Sequence, residues 1–291
     1  MTPKVSIIFP THNRLAWLKE SYESLRNQDV DKEILILANG CTDETEKYLD
    51  RVAMEDHFST KMSHYVYAEN LRGRYRFLAE KAVGEYLVLW ADDDHMLPGN
   101  LEKKIAVLEE NPELSMVFGP AQMMDRWGVW KGLGTMGLIS DKPVMTDALH
   151  FDQLIRGDYI PTGTAVVRRK DFLPFLNLLD EQLLPLCDWA FWLAAADSGL
   201  DGAYIPEPLV VLRQHDTSDT AHYTHTQRYP ADHLAIWNYW QQRGFRPTQD
   251  QYLDIQNVLA AVATKCQMDL LPSLMGLADI FPVRTLAGVG K

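Results

Sequence analysis

Three consecutive aspartates, Asp92, Asp93 and Asp94, follow directly on the apolar run YLVLWA at 86–91. A short apolar run of that kind reads as a buried strand, so the three carboxylates stand at its end. Packed together they repel, and at least one must keep a raised pKa unless a cation lies among them. A hard divalent ion with oxygen ligands removes the repulsion. On an extended backbone Asp92 and Asp94 would point to one side and Asp93 to the other. The plainer alternative is a solvated acidic turn that caps the next helix. The buried strand before the cluster favours the ion.

The elements that must hold these carboxylates alternate along the chain. Apolar runs at 5–9, 33–38, 65–68, 86–91 and 115–119 predict strands. Leu15, Leu18, Tyr22 and Leu25 recur at helical spacing, and further helices are expected after Thr42 or Asp43, over 75–83, and after Pro98. Strands alternating with helices imply right-handed crossovers and a mostly parallel sheet. Ligands bind such sheets at the carboxyl ends of the strands. Pro10-Thr11-His12-Asn13, Asn39-Gly40 and the aspartates all sit at such ends. They are expected to converge on one crevice. Beyond residue 120 the alternation breaks. A Gly- and Trp-rich hairpin or loop is expected over 127–137, strands over 164–168 and 209–212, and a buried helix over 189–196. A helical pattern runs over 227–270, with a break at 244–247.

A net charge of −12 argues against a nucleic-acid surface. Cys41, Cys187 and Cys266 are odd in number and far apart, which fits neither a disulfide framework nor a zinc module. No stretch approaches the roughly 20 apolar residues of a membrane span. A cytoplasmic home is expected, with contact at the inner face of a membrane left open.

Three blocks, VSIIFPTHNR, ILILANGCTDET and GEYLVLWADDDHMLPGNL, resemble in order and spacing the successive motifs of family 2 glycosyltransferases. The resemblance implies the GT-A fold: an α/β, Rossmann-like, mostly parallel central sheet flanked by helices, here with a C-terminal helical extension. It implies a catalytic domain over 1–220, with 1–120 the nucleotide-sugar half and 121–220 the acceptor half, and an extension over 221–291. It places Pro10 and His12 in the nucleoside pocket and Asn39 where a side chain reads the base. Asp92 and Asp93 match the ribose and metal positions, with Asp93 the one for direct coordination, and Asp94 lies at the third position, counted with the metal ligands. Ala38 and Ala91 replace acidic residues common in the family, which leaves the base and the sugar open. Arg72, Arg74 and Arg76 stand where the family has a different helix start. Arginine suits bidentate phosphate contact, although a solvated helix face accounts for each equally well.

LPLCDWAFWLAAADSG resembles the family's later helix start, which implies that Asp188 is the catalytic base. A carboxylate near a helix N-terminus stays ionised and can accept a hydroxyl proton. The alternative is a helix cap. LVVLRQHDTSDT resembles a late family segment, placing Arg213 at phosphate and His215 as a further metal ligand. His222 and His225 read as surface or packing residues. Trp127 and Trp130 are acceptor or lid candidates; Trp189 and Trp192 either stack on sugars or pack the core.

The function implied is inverting transfer of a sugar from a nucleoside-diphosphate sugar, a UDP-sugar first, to a hydroxyl of a polysaccharide or glycoconjugate, with Mn2+ or Mg2+ as cofactor. Two alternatives stand beside it. One is a nucleotidyltransferase that makes the activated sugar, against which the glycine-free PTHNRLAWLKES counts. The other is a non-catalytic nucleotide-sugar-binding subunit. The expected partners are the donor and a glycan acceptor. The C-terminal helices either pack on the catalytic domain, pair between copies or lie against a membrane.

Overall fold

The computed structural model describes residues 2–54, 60–67, 73–129, 148–179, 186–225 and 228–266. The described elements run β1 (Val5–Thr11), α1 (Leu15–Arg26), β2 (Lys32–Asn39), α2 (Thr45–Met54), β3 (Thr60–Tyr67), α3 (Arg74–Lys81), β4 (Tyr86–Leu89), β5 (His95–Met96), α4 (Asn100–Glu110), β6 (Met116–Phe118) and β7 (Ala121–Asp125). There follow α5 (Phe151–Leu154), β8 (Val166–Arg168), α6 (Arg169–Phe172), α7 (Cys187–Asp197), β9 (Gly202–Tyr204), β10 (Val210–Gln214), α8 (Asp219–His225), α9 (Arg228–Gln242) and α10 (Gln249–Lys265).

Two compact units emerge: residues 1–151 with 158–215, and residues 152–157 with 216–291. The first carries a seven-stranded sheet of order β3-β2-β1-β4-β8-β6-β9. Strands β3, β2, β1 and β4 run parallel, as the alternation of strand and helix requires. Strand β8 is antiparallel to both β4 and β6. The apolar runs are buried on both faces: Ile7, Ile8, Ile34, Ile36, Leu87 and Val88 are all sealed from solvent.

Strand β1 runs two residues past the expected end, through Pro10 to Thr11. The reason lies in the register. The Ile8 carbonyl accepts the Trp90 amide at 2.9 Å, so residue 8 faces β4. Pro10, two residues on, faces the same side, where β4 has already ended at Leu89. Its missing N–H therefore breaks no ladder.

A second, three-stranded sheet has order β5-β10-β7. Its strand β5 is only two residues long and has no legible signal in the sequence. Val211 of β10 pairs with His95, the residue after Asp94. The aromatics of α7 pack inward: Phe172 lies 5.1 Å from Phe191 and 5.9 Å from Trp192, ring centre to ring centre. Trp189 and Trp192 are fully buried, so both belong to the core and neither is a sugar-stacking surface.

The second unit holds α8, α9 and α10. Thr248 and Gln251 form a reciprocal capping box at the start of α10. Trp237 and Trp240 are buried, with Trp237 Nε1 donating to the Ile155 carbonyl at 2.9 Å. These two rings are thus unavailable to a membrane surface. No described helix is long and apolar enough to cross a membrane.

One packing contact fixes β1 against the start of β4. Gly84 N donates to Ser6 Oγ at 2.8 Å, and Ser6 Oγ donates to buried Glu33 Oε1 at 2.5 Å. A Cβ on Gly84 would lie 2.7 Å from the Ser6 backbone nitrogen. Gly84→Ala is therefore expected to destabilise the protein by about 1–3 kcal/mol through overpacking. A urea midpoint equal to the wild type's would show that the strands part freely at this point.

Candidate active site

The crevice is built from the ends of β1, β2 and β4. Just past β1, Asn13 takes φ of 52°, a left-handed conformation that asparagine tolerates better than most residues. Its side-chain oxygen accepts the Thr42 amide at 2.7 Å and the Asp43 amide at 3.3 Å. His12 Nδ1 lies 2.7 Å from the Asn39 carbonyl oxygen. The loops after β1 and β2 are thereby tied together. Asn39 Oδ1 is buried and has no hydrogen-bond partner among the described residues.

Beyond β4, the chain turns at residues 91–94, with the Asp94 amide pointing to the Ala91 carbonyl at 3.5 Å. The extended geometry expected for the aspartates does not hold. The turn gives each carboxylate different partners. Asp92 accepts the Thr11 hydroxyl at 2.7 Å and Arg14 Nη1 at 3.0 Å. Asp93 Oδ2 meets Arg14 Nη1 at 3.2 Å and His215 Nε2 at 2.7 Å. Asp94 Oδ1 accepts the Arg213 amide at 3.0 Å.

All three carboxylates are buried. Burial and the neighbouring Asp93 charge push Asp92 up to about 6, against the pull of Arg14. The same two causes push Asp94 well above the usual carboxylate range. The cluster therefore holds more negative charge than the two nearby arginines neutralise comfortably.

Arg213 and His215 arrive through the second sheet. Because β10 pairs with β5 directly after the aspartates, residues just past the pairing fall beside Asp93 and Asp94. Arg213 is buried and spreads over several partners: Nε donates to the Asp93 carbonyl at 2.9 Å, and Nη2 reaches Glu20 Oε2 at 2.5 Å. The Trp17 ring centre lies 4.1 Å from that of His215 and 5.8 Å from the Arg213 guanidinium. Arg213 Nη1 also reaches the Arg126 carbonyl at 3.3 Å, beside the exposed Trp127.

Asp188 lies in the first turn of α7. Its Oδ1 accepts the Trp189 amide at 2.9 Å, and its Oδ2 accepts the Thr162 hydroxyl. Burial raises its pKa, against those hydrogen bonds. Asp158 is raised too, first by crowding and then by the Asp188 charge. It keeps exposed surface, which limits that rise. Burial and the Asp188 charge push the Cys187 thiol up, and Arg74 pulls the other way. Arg76 folds over Gly73 and pairs with Glu80 at 4.0 Å.

Of the residues expected from sequence, Pro10, His12 and Asn39 lie at the joined β1 and β2 ends. Asp92, Asp93, Asp94, Arg213 and His215 form one bonded cluster. Arg72 and Trp130 lie outside the described residues. His222 is exposed and pairs with the Tyr223 ring. Among the described residues, no group of three or more His, Cys, Asp or Glu side chains is arranged around a metal position. Sequence reasoning missed Arg14, Trp17, Glu20, Asp158 and Thr162, and it placed Thr11 at the crevice without giving it a role. Thr11 and Arg14 stand inside the PTHNR block and were open to notice; nothing in the sequence marks the others.

A family model, Glycosyl transferase family 2, matches residues 6–173. The GalNAc(5)-diNAcBac-PP-undecaprenol beta-1,3-glucosyltransferase of Campylobacter jejuni is 27% identical over 49% of this chain and 46% of its own length. The putative glycosyltransferase EpsE of Bacillus subtilis is 24% identical over 73% of each chain. The chain spans under half the length of the first of these relatives. Among solved structures, S. aureus TarS 1-349 in complex with UDP-GlcNAc superposes with a TM-score of 0.61 at 14% identity, over 95% of this chain and 71% of that one. The mannosyltransferase PcManGT from Pyrobaculum calidifontis, in complex with GDP-Man and Mn2+, gives 0.57 at 16% identity, over 100% and 77%. Such likenesses speak for a GT-A fold. With the family match running from β1 past β8, over more than half of its length, the chain belongs to glycosyl transferase family 2.

Proposed function

We propose that this chain moves a glycosyl group from a nucleoside-diphosphate sugar, with UDP-sugars the first to test, to a hydroxyl of a glycan or glycoconjugate, inverting the anomeric centre. The observation that carries the reading is the 2.7 Å contact between Asp93 and His215, which lie 122 residues apart. It joins a carboxylate oxygen and an imidazole nitrogen within a buried cluster. That donor pair would hold a divalent ion such as Mn2+ or Mg2+. Asp94 supports the same position from the Arg213 side. When bound, the ion supplies Lewis-acid stabilisation of the departing nucleoside diphosphate.

The chain's own residues do the rest. Pro10, His12 and the unpartnered Asn39 Oδ1 line the base pocket. Asp92 holds the ribose side, and Arg213 and Arg74 offer guanidinium groups to phosphate. Asp188 takes the proton from the acceptor hydroxyl as that oxygen bonds to the anomeric carbon. The bond from that carbon to the phosphate oxygen breaks, and its electron pair leaves with the nucleotide. A single displacement of this kind inverts the configuration. The complexes of TarS with UDP-GlcNAc and of PcManGT with GDP-Man and Mn2+ support a nucleotide-sugar donor. The name of the Campylobacter relative supports a glycan acceptor.

A thermal-shift screen of UDP, GDP and their sugars, with and without Mn2+, tests the donor side. The matching nucleotide is expected to stabilise by about 2.7 kcal/mol at a hundredfold excess over its Kd. Asp93→Asn should abolish the metal-dependent part of that shift. An undiminished shift in the variant would remove Asp93 from the metal site.

The pH dependence tests the base. Asp188 must be ionised to accept a proton, so turnover falls as pH drops through its pKa. Because burial raises that pKa, the acid limb lies at higher pH than the ~3.9 of an ordinary aspartate. Asp188→Asn should lower turnover by about 100-fold or more. Wild-type turnover in that variant would sink the assignment.

A further inference from the structure

Between β4 and α7 lies a short turn that the proposed reaction leaves unused. Residues Thr162–Thr164 form a single 3-10 turn after Pro161. Its three residues face three different neighbours. Thr162 donates its hydroxyl to Asp188 Oδ2. Gly163 lies flat against the Trp90 ring, so close that a Cβ there would stand 3.0 Å from two ring carbons. Thr164 closes the turn on the Pro161 carbonyl through both its amide, at 2.9 Å, and its hydroxyl, at 2.7 Å. The Thr164 carbonyl accepts buried Lys104.

Trp90 is itself fixed. Its indole N–H donates to Ser21 Oγ at 2.8 Å, and its carbonyl accepts the Tyr75 hydroxyl at 2.7 Å. Two residues later comes Asp92. The turn therefore touches the base through one residue and the strand that delivers the aspartates through the next. With the Trp189 amide on Oδ1, both Asp188 oxygens already have a donor, and among the described residues only the Thr162 donor comes from outside α7.

We propose that Thr162 is a positioning residue: its hydroxyl sets the orientation and ionisation of Asp188, and Gly163 seated on Trp90 fixes that orientation relative to the aspartate cluster. This rests on the reading of Asp188 as the base. Among the described residues, the titratable groups that feel the Asp188 charge are Asp158 and, beside it in α7, Cys187; Arg74 from α3 acts on Cys187. A hydroxyl that donates to a carboxylate favours its charged form, so removing it weakens the acid.

Protein labelled with 13C at the aspartate carboxyl carbons gives the test, with the Asp188 signal identified by its loss in Asp188→Asn. Thr162→Val keeps the shape of the side chain and removes the hydroxyl. It should move the Asp188 titration midpoint up by about one pH unit, a tenfold loss of ionisation. Thr162→Ser should restore the wild-type midpoint. Thr162→Ala, which leaves more room, should reproduce the valine result. In the wild type and these variants, the acid limb of donor turnover should move with the midpoint.

A purely structural role would lower the melting temperature and leave the midpoint in place, and that result overturns the proposal. So does a serine variant that behaves like valine. A midpoint that moves as expected, while Asp188→Asn consumes donor at the wild-type rate, supports the hold of Thr162 on Asp188 and overturns the base assignment alone.

Discussion

Mutual repulsion among three carboxylates at the end of a buried strand governs the architecture around them. Asp92, Asp93 and Asp94 are all sealed from bulk water, where charge is costly to hold. Their neighbours answer that cost. Arg14 bridges two of them, Arg213 reaches the other end through its amide and guanidinium, and His215 abuts the middle one. Arg213 is in turn held by Glu20 from α1. The compensation is incomplete, as the raised pKa of Asp92 and Asp94 records. That surplus negative charge is what the proposed divalent cation would offset.

The parallel half of the sheet was legible because its signals are local. Apolar runs of four to eight residues and helical spacing between them specify β1 through β4 with little help from the rest of the chain. The boundaries moved where tertiary context intervened. The apolar run ends at Phe9, yet the strand passes on through Pro10 because β4 ends first. Strand β8 was legible as a strand over 164–168, but its antiparallel direction was not. Two-residue β5 was not legible at all, since a strand that short is held by its partners and carries no periodicity to read.

The same division holds at the site. The aspartates were visible because three charges after YLVLWA are anomalous in sequence. Arg213 and His215 were visible only through resemblance, since their proximity to Asp93 depends on pairing between distant segments. Thr162 and Asp158 were invisible: a threonine and an aspartate in a loop carry no signature until a fold sets them beside Asp188. Trp189 and Trp192 show the reverse failure. Aromatics near a sugar site suggest stacking, but both are spent on packing α7 against Phe172 and Phe191.

The pairing of β10 with both β5 and β7 has a consequence for how such a chain can diversify. Residues 126–209 leave the small sheet at one strand and return to it at another, so their course is bracketed by a fixed register. Loops within that interval can lengthen, shorten or change composition while Arg213 and His215 still return to the same place beside the aspartates. The sheet acts as a socket: its register, and not the length of the loops it brackets, sets where Arg213 and His215 arrive.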